Sequence, residues 1–311
     1  MGDANFTNVQ FTGSAHAWFC ETKFKGDAFF WSKDDGKTIF SGEACFRFAK
    51  FCNHITFFRA VFWEKADFYV TRFNGEYAIF IGSNFKGESD FRGARFKEEA
   101  DFRGAQFTKN LNLARAKFTN FEVEWDAIKG RLDCDGTVYL ALVKSFKKLE
   151  RFDDADNCYY QYRKISQNKK SWFSKNKCWL NRFSCSKLYD HFSWLSCGYG
   201  LRPSFTFAWI FGLIFGFSLL YDFLGGITKS SSPEITMNVL NNSTLLFTFA
   251  PSGTSPSFWE CLYFSALSFA GGTPAGLSPV GGWKYAVMFE SVLGYLFLAL
   301  FIVVLARKLI R

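Results

Sequence analysis

The chain has 311 residues, and 42 of them are Phe, against only 3 Met and 6 Pro. Its net charge of +9 comes almost entirely from residues 126–311, which hold 20 basic and 12 acidic side chains, whereas residues 1–125 hold 17 and 16. This asymmetry indicates a membrane surface or a nucleic acid as partner of the second half. The balance in the first part argues against an acidic surface that imitates DNA.

The rare polar residue types exclude several kinds of site. The nine Cys are odd in number and form no CxxC pair, so they resemble neither a disulfide framework nor a zinc site and favour a reduced, cytoplasmic N-terminal region. His16, His54 and His191 are far apart in sequence. No nucleophile–base pair, phosphate loop or HExxH motif occurs. We therefore expect no enzyme, no cofactor and no metal site.

Phe recurs along the first 120 residues in alternating steps of five and six. The unit has eleven residues and occurs twice in succession as FRGARFKEEAD and FRGAQFTKNLN, over 91–101 and 102–112. A period of 3.6 or 2.0 does not explain these steps, whereas a coil that turns a corner at each Phe does. Stacked coils bury rings that one repeat cannot bury alone, so we expect a solenoid with a Phe core. Small residues two before the next Phe should lie inside it: Ala94, Ala100, Ala105 and Ala116.

The pattern FxGAxFxxxADFxGAxF resembles the pentapeptide-repeat family, in the variant where Phe replaces the central Leu. The likeness covers roughly residues 6–121, and we assign this domain to residues 1–125. The resemblance implies a right-handed, four-sided parallel β-helix. A Phe-rich domain without a β-helix is the alternative.

Residues 126–203 form the second predicted domain, a helical and basic linker. The segment GTVYLALVKSFKKLERFDDADNCYYQYRK places apolar side chains at helical spacing and predicts one helix or a pair of helices. Residues 143–202 carry 13 basic and 5 acidic side chains, which is typical of a segment at a membrane interface. The acidic run at Asp153, Asp154 and Asp156 suits calcium in composition, but on a helix it is more typical of a solvated face.

Two apolar runs in the third domain, residues 204–311, predict membrane spans. Residues 205–227 and 285–306 are each long enough to cross the hydrocarbon core and contain one charge each, Asp222 and Glu290. Asp222 is expected at the interface. Basic residues precede the first run and follow the second, so both termini should be cytoplasmic and the protein a two-span protein of the cell membrane.

A shorter apolar piece between the spans, residues 257–270, predicts a re-entrant helix. Ser255 or Ser257 can cap its start. Its C-terminal end should face the membrane interior and favour a cation. The Gly-rich GGTPAGLSP follows and is non-helical by composition.

The order of span, short helix, Gly-rich loop and span resembles the potassium-channel superfamily. YFSALSF (263–269) is similar to the end of its pore helix, and FESVLGYLFLALFIVVLARKL (289–309) to its inner helix. Pro279 with Gly281 or Gly282 resembles the turn after its filter. The resemblance implies an all-α two-span module with a re-entrant pore helix, assembled as a homotetramer because one loop supplies a quarter of a ring.

The likeness also assigns the candidate site. The filter and pore residues would be Ser268, Gly271, Gly272, Thr273, Pro274, Ala275 and Gly276. Glu290 would support the filter rather than contact the ion, and Gly294 would be the gating hinge. Potassium selectivity needs stacked backbone carbonyls, whereas Thr273 replaces a Gly of positive φ and Pro274 has φ fixed near −65°. A wider or shorter, weakly selective pore is therefore expected, or a module that does not conduct.

Two functions stay open at this point. The first is a monovalent-cation channel of unknown permeant ion and stimulus that carries a cytoplasmic repeat domain. The second is a non-conducting, membrane-anchored scaffold whose repeats bind a partner protein. The lipid bilayer is a partner in both, and no nucleic acid is expected.

Overall fold

The computed structural model describes residues 2–13, 16–32, 36–169, 185–229, 235–240, 244–249, 255–272 and 274–309. The chain divides into two compact units, Met1–Ser171 and Trp172–Arg311. The first contains the Phe repeats and is the solenoid unit. The second contains both apolar runs and is the helical unit.

The solenoid unit is a parallel β-solenoid of about six turns, with four faces called A to D in the order in which the chain visits them. Face A consists of β1 Ala4–Asn5, β5 Ala28–Phe29, β9 Ile55–Thr56, β13 Tyr77–Ile79, β17 Glu99–Asp101 and β20 Asn120–Glu122. Face B consists of β2 Gln10–Phe11, β6 Ile39–Phe40, β10 Val61–Phe62, β14 Asn84–Phe85 and β18 Gln106–Phe107. Face C consists of β3 Ala17–Trp18, β7 Ala44–Cys45, β11 Ala66–Asp67, β15 Ser89–Asp90, β19 Leu111–Asn112 and β21 Leu132–Asp133. Face D consists of β4 Lys23–Phe24, β8 Lys50–Phe51, β12 Arg72–Phe73 and β16 Arg95–Phe96.

Phe rings fill the solenoid in columns, as the spacing predicts. Phe80 stacks on Phe102 with ring centroids 4.5 Å apart and planes 3° from parallel, and Phe62 stacks on Phe85 at 4.8 Å. These distances approach the separation of paired strands, about 4.7–4.9 Å, so ring stacking and strand pairing support the same coil separation. The predicted small residues Ala94, Ala100, Ala105 and Ala116 are all buried.

The alternating steps have a structural cause at the corners. Each five-residue step contains one residue of positive φ two places after the Phe, such as Gly93 at 67° and Gly104 at 67°. Glycine adopts this conformation without steric strain. Earlier corners place Val70 there, at 56°, which is costly for a β-branched residue. Two five- and two six-residue steps close the coil of 22 residues that separates Phe85 from its partner Phe107. The coils near the N-terminus are longer, since Gln10 pairs with Ile39 and Lys23 with Lys50.

The first linker helices close the C-terminal end of the solenoid. After α1 (Trp125–Ile128), the helices α2 (Gly136–Lys148) and α3 (Phe152–Lys169) pack against each other, and their buried side chains join the Phe core. The Ser145 hydroxyl donates to the carbonyl of Phe121 at 3.1 Å and accepts from its amide at 2.7 Å. The pair of helices predicted from residues 126–203 therefore extends the compact solenoid unit past residue 125, up to Ser171.

One disulfide corrects the expectation that the N-terminal cysteines are all reduced. Cys20 and Cys45, with Cα atoms 5.6 Å apart, are bonded between neighbouring coils. Stacking of the coils places Cys20, in the turn after β3, beside Cys45 of β7, although the two are 25 positions apart in sequence. A short Cys spacing does not reveal such a pair. Cys52, Cys134, Cys158, Cys197 and Cys261 are free thiols.

The helical unit contains four helices and two small antiparallel sheets among its described residues. Its helices are α4 Cys185–Cys197, α5 Pro203–Leu224, α6 Phe258–Phe269 and α7 Trp283–Leu309. Its strands are β22 Ile227–Lys229, β23 Ile235–Leu240, β24 Thr244–Phe249 and β25 Leu277–Pro279. β22 pairs with β25, and β23 pairs with β24. The expectation of an all-α module is therefore wrong, because the segments between the helices form strands; ITMNVL and TLLFTF are rich in the β-branched and aromatic residues that favour strands.

The helices α5 and α7 are long and apolar enough to span a membrane. Only 17% and 22% of their most apolar windows are buried inside the protein, whereas a core helix of a soluble protein is mostly covered. α5 begins with Pro203 in its first turn and ends at Leu224, with Gly225 as its C-cap at a φ of 62°. That left-handed cap ends the helix before residue 227, where the apolar run ends.

Candidate functional site

Helix α6 is the short element that the sequence predicts as a pore helix. Its 12 residues span about 18 Å, and it packs against both α5 and α7. A capping box of Ser257 and Glu260 starts it. Glu260 also accepts from Lys229 at 2.6 Å, and that hydrogen bond holds the pKa of this carboxyl below its usual range.

Glu290 joins all three of these helices. It is fully buried, accepts from the hydroxyl of Tyr221 on α5 at 2.6 Å, and is hydrogen-bonded to Ser265 on α6. Ser265 also donates to the carbonyl of Ile214 on α5 at 2.9 Å. A buried carboxyl needs such partners, so these contacts specify the packing of α5, α6 and α7.

The two glycines after α6 form its C-terminal cap. Gly271 has φ 81°, and its amide donates to the Ser268 carbonyl at 3.0 Å. The amide of Gly272 donates to the Leu267 carbonyl at 2.7 Å. These are the two bonds of a Schellman motif. The carbonyls of Leu267 and Ser268 in the last turn of α6 are therefore satisfied by the residues predicted to begin the filter.

One turn of α7 contacts this cap. The hydroxyl of Ser291 donates to the Ser268 carbonyl at 2.8 Å. A Cβ atom on Gly294 would lie 1.9 Å from the Phe269 carbonyl oxygen, and a Cβ atom on Gly271 would lie 1.9 Å from the Tyr295 hydroxyl. Backbone therefore meets backbone where Gly294 lies, which only a residue without a side chain allows.

The rest of the loop leads into a strand. Pro274 is half-buried, while Ala275 and Gly276 are exposed. Gly276 has φ 78° and precedes β25. Thr273 lies outside the described residues. The Ser268 side chain is 2% exposed, and its hydroxyl has no hydrogen-bond partner among the residues that the structure describes.

Apart from Pro274, Ala275 and Gly276, which lead into β25, the described site residues fall into two groups. Ser268, Gly271, Gly272 and Gly294 meet at the C-terminal end of α6, whereas Glu290 binds the other two helices. Sequence reasoning missed Ser291 and Tyr295, which lie within one residue or one turn of Gly294. Ser291 donates to a backbone carbonyl of α6, and the Tyr295 hydroxyl lies against the backbone of Gly271. Contacts to backbone atoms do not restrict the partner's residue type, so the sequence gives no sign of them.

Two acidic clusters elsewhere contain ion pairs with arginine. Glu99, Asp101 and Glu122 could hold a metal ion by distance, but Arg103 forms ion pairs with Asp101 and with Glu122 at 3.2 Å. In the acidic run on α3, Asp154 pairs with Arg151. Both arrangements are explained by charge pairing.

The family model of pentapeptide repeats (9 copies) matches residues 71–117. No curated protein and no solved structure matches the chain. The solenoid unit therefore carries pentapeptide repeats, as its sequence indicates. No family model matches the segment that contains α5, α6 and α7, so its likeness to pore-loop channels stays a sequence-based prediction.

Proposed function

We propose that the protein is a membrane-embedded cation channel in which α6 and the loop after it line a pore, with the pentapeptide-repeat solenoid on the cytoplasmic side. Four chains would assemble around the pore, because one chain contributes one loop. The permeant species would be a monovalent cation. The atypical loop would give weak selectivity.

The observation that carries this proposal is the way α6 is held. A helix too short to span the hydrocarbon is packed against two helices long enough to do so, and Glu290 joins all three. An ionisable residue within a span is otherwise expensive. Irregular backbone such as 270–272 and 274–276 is tolerated at membrane depth only where protein or water covers it.

The cap on α6 supports weak selectivity. Gly271 and Gly272 use their amides to terminate the helix, and β25 begins at Leu277. Only residues 273–276 lie between, and two of their four positions are Thr273 and Pro274. A potassium filter replaces the ion's hydration shell with successive backbone carbonyls. Four residues with a fixed proline φ suit a shorter pore that passes partly hydrated ions.

Planar-bilayer recording of the purified protein tests the proposal, with potassium on one side and sodium on the other. Discrete currents with a reversal potential near zero are expected. A reversal potential near the potassium equilibrium value would contradict the proposed short filter. Silence over all voltages and pH values, from protein shown to be folded and tetrameric, would refute conduction.

Three variants sharpen the recording. Glu290→Gln keeps the size of the side chain and can accept from Tyr221 while donating to Ser265, so it should conduct with altered open times. Glu290→Leu removes the acceptor of the Tyr221 hydroxyl and leaves Ser265 with only the Ile214 carbonyl, so it should abolish assembly or current. Glu260→Gln removes an exposed carboxyl from the start of α6 and should leave selectivity unchanged.

The non-conducting scaffold is the second candidate function. The involvement of Gly271 and Gly272 in a helix cap favours it, because a cap is complete without any ion. In that case α5 and α7 anchor the solenoid, and the solenoid binds a partner protein. Recovery of one stoichiometric partner with the full-length protein, together with electrical silence, would establish this function instead.

A further inference from the structure

Face D of the solenoid carries a row of basic side chains in register. Lys23 pairs with Lys50, Lys50 with Arg72, Arg72 with Arg95, and Arg95 with Lys117. These five residues are called the basic ladder. Successive strands lie about 4.7–4.9 Å apart, so the ladder extends over about 19 Å. Four of its members are exposed, and Lys50 is half-buried.

The ladder has no acidic partner in the described part of the chain, where no carboxylate forms an ion pair with any of its members. On face C, by contrast, Asp67 pairs with Lys65 at 2.7 Å and Asp90 with Arg92 at 2.6 Å. Acidic residues flank the ladder at the corners: Glu21 lies two residues before Lys23, and Asp27, Glu76 and Glu98 precede the strands of face A. Two further exposed lysines, Lys25 and Lys97, follow the strands of face D.

The corresponding positions on the opposite face are uncharged. The first residues of the strands of face B are Gln10, Ile39, Val61, Asn84 and Gln106. The fold therefore does not require charge at such positions. Like charges directly opposite on neighbouring strands are destabilising, and face D contains four such pairs in succession. A bound anionic surface would relieve this repulsion.

We propose that face D docks on the anionic lipid headgroups of the leaflet next to it, an inference that rests on the proposed anchoring of α5 and α7 in a membrane. The basic residues of face D form one row along the sheet. Lipid headgroups can match the spacing of this row, because lipids diffuse laterally within the leaflet. The helical unit belongs to the same chain, so the membrane is always at high effective concentration. Each basic residue near an anionic leaflet adds attraction that is screened within a Debye length.

The test uses full-length protein in nanodiscs of zwitterionic lipid alone or with about one-third phosphatidylserine. Lysines are acylated with an amine-reactive ester, and the rate at each is read by mass spectrometry. In the anionic discs Lys23, Lys50 and Lys117 should react about five- to tenfold more slowly, and high salt should restore their rates. Lys109, which is exposed between faces B and C, should react equally in both.

A variant pair supplies the matched control. Arg72→Gln with Arg95→Gln removes two ladder charges and should abolish most of the protection of the three lysines. Lys86→Gln with Lys109→Gln removes two charges beside face B and should leave the protection intact.

Three outcomes would overturn the inference. Equal rates in both discs would show that the face stays free. Protection by an added polynucleotide or acidic protein, but not by anionic lipid, would assign the face to that partner. Protease protection of α5 and α7 is measured in the same discs: if neither inserts, the proposed membrane function fails as well, whereas insertion without lysine protection refutes only the docking of face D.

Discussion

Replacing Gly294 by Ala should separate α6 from α7 and destabilise the helical unit. The added Cβ would lie 1.9 Å from the Phe269 carbonyl oxygen, whereas an ordinary contact needs at least 3.4 Å, so the two helices would have to move apart by about 1.5 Å. Overpacking of this kind costs about 1–3 kcal/mol. The hydrogen bond from Ser291 to Ser268, worth about 1 kcal/mol net, would be stretched as well.

Thermal unfolding of the full-length protein in detergent or nanodiscs measures the effect. Gly212→Ala and Gly216→Ala are the matched controls, because neither added Cβ has a neighbour within 4 Å. Both should be neutral or stabilise α5 by up to about 1 kcal/mol, through helix propensity. A Gly294→Ala variant as stable as these controls would refute the close-packing argument. If its current were altered at full stability, Gly294 would be the hinge that the channel resemblance implies.

Three further predictions concern the solenoid unit. Val70→Asn should raise the free energy of unfolding in denaturant by about 1 kcal/mol, because Asn adopts positive φ more readily than a β-branched residue. Gly93→Val, which places a β-branched residue at the equivalent corner of the next coil, should lower the free energy of unfolding by at least as much. Asp90→Asn should lose about 1–2 kcal/mol near pH 7. Burial opposes ionisation of Asp90, but hydrogen bonds from Arg92 outweigh this effect and lower the pKa of the carboxyl. The stabilisation by Asp90 is therefore fully present above the pKa that the carboxyl has in the unfolded chain, and it should vanish as the pH falls through the lower pKa of the folded protein. A stability difference between wild type and Asp90→Asn that stays constant down to pH 3 would contradict this. Burial, with Asp135 and Asp133 nearby, raises the pKa of Cys134 to about 12, so iodoacetamide at pH 8 should alkylate it about a thousandfold more slowly in the native protein than in urea.

The solenoid core could be predicted from sequence because a single residue type, Phe, recurs at regular intervals. Each Phe makes the same contact one coil away, so the pattern predicts the columns directly. The closing helices were harder to place. Apolar spacing on α2 shows that one side is buried, but it does not say that the last coil covers it. The surface that α2 covers can be identified only when the structure shows which coil is the last one of the solenoid.

The candidate loop could be located from sequence but not interpreted. Gly271 has positive φ in a helix cap, and a filter glycine has positive φ as well, so the residue type does not separate the two roles. The hairpin of β23 and β24 was missed although its sequence carries a signal: ITMNVL and TLLFTF are rich in β-branched and aromatic residues and are separated by a short polar segment. The basic ladder escaped notice for a different reason. Basic and acidic residues are nearly equal in number over residues 1–125, so the net charge of the sequence shows no excess there. The fold places basic residues from successive coils on one face, and that local excess is visible only in the structure.

The closure of one coil by two eleven-residue units has a consequence for how this protein can change length. Deletion of 91–101, one such unit, would place the following Phe residues into columns already built for Phe. The interior would accept the shorter chain. Every later strand would nevertheless move to the opposite face, so Gln106 would succeed Arg72 on face D and the disposition of charge would be broken. Loss or gain of a whole 22-residue coil keeps every strand on its own face and every Phe in its column. The Phe core would tolerate any number of eleven-residue units, but the surface charges keep their faces only when units are lost or gained in pairs.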